Sequence, residues 1–123
     1  MMPDPSSRIA ALLSGEVQVI QEVPPDLVDR LKGSPNVQVK TAPGTRSYEI
    51  EFNTKAAPFT DARVRQAVNY AINWDPILRD IYHGYGQRLA TAFLPGSFGY
   101  DPALKPYPYD PAKARQLLKE AGF

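Results

Sequence analysis

The spacing of apolar residues changes repeatedly along this chain, from a helical repeat to strict alternation and back. Ile9, Leu12 and Leu13 share one face of a helix that Ser6 or Ser7 can cap and Gly15 can stop. The following "EVQVI", residues 16–20, alternates as a half-buried strand does. Pro24 and Pro25 open a short helix carrying Leu27, Val28 and Leu31, closed by Gly33. "NVQVKT", residues 36–41, is a second brief strand. After the Pro43–Gly44 turn, "TRSYEIEFN" at 45–53 alternates throughout, with Arg46, Tyr48, Ile50 and Phe52 on one face and Thr45, Ser47, Glu49 and Glu51 on the other. One face of that strand is expected to be buried and the other wet.

The next stretch, "NTKAAPFTDARVRQAVNYAINW" at 53–74, turns the chain from strand into helix. Thr60 or Asp61 supplies an acceptor for the first-turn N–H groups, and Val64, Ala67, Val68, Ala71 and Ile72 form a packing stripe. Arg63 and Arg65 point off that stripe, where Glu49 or Glu51 of the preceding strand could pair with them. Asp75–Pro76 predicts a second cap and a new helix with Ile77, Leu78 and Ile81 inward, ending at Gly84. Residues 84–109 read as a long connection punctuated by glycine and proline, of a length that is usually functional or pinned by its own aromatics. Asp110–Pro111 caps a last helix with Ala114, Leu117, Leu118 and Ala121 on one face, and Gly122 stops it. The pattern as a whole predicts an α/β chain of short strands and packed helices, with no tandem repeat.

Composition narrows the functional classes. Fourteen basic against 13 acidic residues leave a net charge of +1, so no long-range field favours nucleic acid or an anionic membrane. The chain has no cysteine, which removes disulfides, thiolate metal sites and cysteine nucleophiles. The opening "MMPDPSSRIAALLSGEV" lacks a basic start followed by an apolar run of signal length, and no later segment reaches membrane-span length. The 13 prolines fall at turns and helix starts, between aromatic and aliphatic residues, and so punctuate structure.

No catalytic constellation emerges. His83 is the single histidine and stands before a helix-ending glycine without partners for general-base work, so a structural or surface role is expected of it. The carboxylates occupy caps and polar strand faces, and none has metal-ligand spacing. "GYG" at 84–86 and "PGSFGY" at 95–100 are too irregular to cradle a phosphate. Neither an enzyme nor a bound cofactor is expected. The helix, corner and helix of 60–82 has the outline of a helix-turn-helix, with Arg63 and Arg65 able to reach phosphates, but the near-zero charge argues against a nucleic-acid partner.

The run "FNTKAAPFTDARVRQAVNYAIN", followed in order by "GYG" and "LPGSFGYDPALKPYPYDPAKARQLLKEAGF", and preceded by "ALLSGEVQVIQEVPPDLVDRL", resembles the extracytoplasmic solute-binding proteins of bacterial ABC importers, in the group that binds oligopeptides, dipeptides and nickel chelates. The likeness spans nearly the whole chain. Gln18 departs from it, standing where the family usually has an aspartate in a Gly-x-Val-Asp-x-Ile segment. Members of the family are several times longer, which implies an internal segment.

The resemblance implies part of a two-lobed α/β receptor, the type II periplasmic-binding fold, that closes on a peptide or small solute and docks on a membrane permease in the periplasm or outside the cell. Residues 1–44 then belong to the end of the first lobe, and 45–123 to a crossing strand and the first half of the second. Tyr48 matches a pocket-lining tyrosine of the oligopeptide binders and is the ligand-binding candidate, with a core role as the alternative. Two other readings stay open. One is a self-standing α/β interaction module that binds no peptide and self-associates; the other is the helix-turn-helix binder. No metal or cofactor is implied.

Overall fold

Helix capping by short polar side chains organises the observed structure, a computed structural model that describes residues 2–123. Two compact units form. The first contains the residues up to Pro43 together with Leu78–Gly86, and the second contains Gly44–Ile77 and Gln87–Phe123.

In the first unit, α1 (Pro5–Ser14) begins at Asp4, whose Oδ2 accepts the Ser7 N–H at 2.6 Å. The cap is therefore Asp4, not Ser6 or Ser7, because proline at the first helical position starts the helix two or three residues earlier than the serines suggest. Gly15, at φ 79°, closes it in the left-handed conformation that glycine adopts without strain. Ile9 and Ala11 are buried, whereas Leu13 is exposed. A 3-10 turn at Pro25–Leu27 leads into α2 (Val28–Lys32), which buries Val28 and Leu31. Within the same unit the Lys32 ammonium lies 5.3 Å from the Tyr85 ring centroid, and contact with the Tyr85 side chain holds the lysine above its ordinary pKa.

The second unit is organised by an antiparallel helix pair. Asp61 caps α3 (Ala62–Ala71) by accepting the Arg63 N–H at 2.8 Å, and Asp110 caps α5 (Pro111–Glu120) by accepting the Lys113 N–H at 2.9 Å. Ala67 of α3 meets Ala114 and Leu117 of α5 in a buried cluster that Tyr70 and Leu118 extend. Small residues at the contact let the two helix backbones approach closely. Both ends of the pair are also tied by hydrogen bonds. At one end Arg63 Nη1 donates to the Glu120 carbonyl at 2.6 Å. At the other, the Asp110 N–H donates to the Tyr70 carbonyl at 2.8 Å, and the Tyr70 and Tyr107 rings meet edge to face at 5.0 Å. These contacts engage two terminal carbonyls that a helix leaves without an internal partner.

The stripe predicted for α3 is narrower than its spacing implies. Val64 and Ala67 are buried, Val68 and Ile72 are half-buried, and Ala71 is exposed. After α3 the chain turns at Asn73, whose Oδ1 accepts the Asp75 N–H at 3.3 Å and caps the short α4 (Trp74–Pro76). The cap expected at Asp75–Pro76 is thus moved two residues back. A π-helical turn, Ile77–Ile81, continues from α4, and it leaves Ile81 exposed. His83, exposed at φ 49°, and Gly84, at φ 78°, complete the turn.

No strand forms among the described residues, so the α/β expectation is not confirmed here: 16–20, 36–41 and 45–53 carry no β-ladder. Alternation supplies side chains for two faces of a sheet, but a strand exists only when a neighbouring backbone answers its N–H and C=O groups. Val19 is 84% exposed. On the apolar side of 45–53, Tyr48 and Ile50 are exposed and Phe52 is half-buried.

Candidate functional site

Segment 45–53 carries the residue singled out for ligand contact, and the turn that follows anchors its end. The Phe52 ring stacks on Phe59 with centroids 4.8 Å apart and planes inclined by 29°, which fixes the segment's exit. Between them, Asn53 Oδ1 accepts the Lys55 N–H at 3.1 Å, and the Asn53 and Ala56 carbonyls accept the Ala56 and Phe59 N–H groups at 3.1 and 3.0 Å. Arg65 closes the turn by donating to the carbonyls of Phe59 at 2.6 Å and Thr60 at 3.2 Å. The Pro-Phe-Thr-Asp sequence therefore forms a hydrogen-bonded corner that leads from segment 45–53 into a packed helix.

Upstream of that anchor the side chains open to solvent. Tyr48 is 72% exposed and Ile50 is 60% exposed. Most of the Tyr48 side chain thus faces solvent within this chain. Backbone and alternate side chains together offer an extended ligand both hydrogen bonds and apolar contact, the arrangement used in strand addition.

Arg63 and Arg65 do not pair with Glu49 or Glu51. Arg63 instead grips Asp61 through Nε, 3.1 Å from each carboxylate oxygen, and through Nη2, while Arg65 serves the corner carbonyls. The Arg63 side chain, then its backbone N–H, holds the Asp61 carboxyl down at about 2. Both guanidinium groups are thus built into the helix entry, which leaves them poorly placed to grasp a phosphate backbone. Sequence reasoning missed this use of the arginines, although the Asp-x-Arg spacing around the cap was a readable signal for the first of them.

Elsewhere the surface is chemically quiet. A groove of about 550 Å³ beside α1 is lined by Met2, Arg8, Val17, Val19, Ile20 and Gln21. Its one charged group, Arg8, donates to the carbonyls of Met2, Pro3 and Glu22 at 3.0, 2.7 and 3.2 Å. No cluster of three or more histidine or carboxylate side chains that could hold a metal occurs among the described residues. Among the described residues no helix is long and apolar enough to cross a membrane.

Comparison with known proteins places this geometry in a family. The model for bacterial extracellular solute-binding proteins, family 5 Middle, matches residues 1–123. The chain is 38% identical over 120 residues to the glutathione-binding protein GsiB of Escherichia coli K12, covering 98% of this chain and 23% of that protein. It is also 38% identical over 125 residues to heme-binding protein A of Haemophilus influenzae, covering 100% of this chain and 22% of that protein. Among solved structures, the periplasmic binding protein DppA of Helicobacter pylori in complex with the peptide STSA superposes with a TM-score of 0.76 at 34% identity, over 99% of this chain and 24% of that one. NikA of Brucella suis in complex with Fe(III)-EDTA gives a TM-score of 0.75 at 28% identity, over 99% of this chain and 25% of that one. The chain spans about a quarter of the length of these relatives. It belongs to the family 5 bacterial extracellular solute-binding proteins.

Proposed function

We propose that, as a member of that family, the chain works as the middle segment of the substrate-binding component of an ABC importer, taking a peptide or a related small solute outside the cytoplasmic membrane and delivering it to a permease. The role is binding and not catalysis. In this reading residues 1–44 close the first lobe of a two-lobed receptor, and 45–123 provide a crossing segment and the first half of the second lobe. The observation that carries the reading is segment 45–53, anchored at Phe52 and with Tyr48 and Ile50 exposed, in a chain that superposes over 99% of its length on a binding protein solved with a peptide. Tyr48 is the side chain proposed to meet the ligand, and the uncovered backbone on either side of it is the surface a peptide could pair with.

Calorimetry tests the proposal on a polypeptide extended to the length of the relatives by its own flanking sequence. A panel of di- to pentapeptides, glutathione included, is expected to contain a micromolar ligand whose affinity falls at least about tenfold in Tyr48→Ala, on the order of 1.4 kcal/mol. The 123 residues alone are expected to bind no better than millimolar, because one segment encloses only part of a ligand. Peptide affinity that is absent from the extended protein, or indifferent to Tyr48, overturns the reading.

A further inference from the structure

We draw no further inference here: the strongest candidate, the exposed aromatic turn at residues 93–100, where Gly96 and Gly99 in the left-handed conformation and the Ser97 hydrogen bonds to the Leu94 carbonyl present the Phe98 ring fully to solvent, carries nothing because nothing in the structure shows what covers it.

Discussion

The α3–α5 pair and the three alternating segments were equally regular in sequence, yet of these only the pair formed elements. Each helix closes its own backbone hydrogen bonds, caps itself with an aspartate and needs one neighbour for its apolar face, which the other helix provides. The segments 16–20, 36–41 and 45–53 need a second backbone along their edge, and none of the described residues supplies it. A helix is a local statement confirmed by one contact, whereas a strand is a claim about a partner elsewhere in a chain. The relatives have about four times as much chain with which to supply such partners.

The sharpest way to break this comparison is to strike the pair at its centre. Ala67 is 1% exposed between Ala114 and Leu117, so Ala67→Asp places an unpaired carboxylate in the contact. It should destabilise the second unit by several kcal/mol, enough to remove most of the helical circular dichroism. Ala71→Asp, one turn along the same predicted stripe but exposed, should change stability by less than about 1 kcal/mol. Equal effects at the two alanines would mean that the pair is not held by this cluster.

A middle-sized effect tests the caps. Asp110→Ala removes the acceptor for the Lys113 N–H and should cost about 0.5–2 kcal/mol in a urea melt, since a buried-end cap leaves a donor unanswered. Asp61 adds a pH signature. Its carboxyl titrates at about 2 when folded, below its ordinary 3.8, because Arg63 binds the charged form. A depressed folded value means that the unfolded chain binds protons more readily, so the contribution is present above about pH 4 and is lost as pH falls through 2. Asp61→Asn retains a capping oxygen but should lose this slope, and its urea midpoint should fall less than that of the parent between pH 5 and pH 2.

These residues also show where the sequence was readable. The chain order of helices, the cap at Asp110 and the choice of Thr60 or Asp61 at the entry of α3 were legible, because each rests on residues within a turn of one another, whereas the meeting of the α3 and α5 stripes joins distant residues and was not read from the sequence. Asp4 and Asn73 were overlooked as caps in favour of polar neighbours, a choice that backbone dihedrals settle and composition does not. The arginine partners failed for a different reason. Arg63 reaches Glu120 across 57 positions, and Arg65 takes carbonyls that exist as acceptors only once the corner has formed. Tyr48 was legible as a candidate by type and position, but its exposure depends on what covers the segment, and that information lies in tertiary neighbours.

The smallest expected effect falls on Tyr48 itself. Tyr48 is 72% exposed, so Tyr48→Ser should move the thermal midpoint by no more than a ±0.5 kcal/mol surface substitution does. Phe52→Ser is the matched control, because Phe52 is half-buried and stacked on Phe59, so its loss should be plainly larger. The ratio of the two shifts measures where the anchored part of the segment ends and the open part begins. A destabilisation by Tyr48→Ser above about 1 kcal/mol would show that the ring is packed in solution, against the core of this chain or of a second copy, and dilution tells these apart, since only packing between copies weakens as concentration falls. A silent Tyr48→Ser beside a costly Phe52→Ser leaves the tyrosine free of structural duty, which is the condition for a side chain whose part is to meet a ligand.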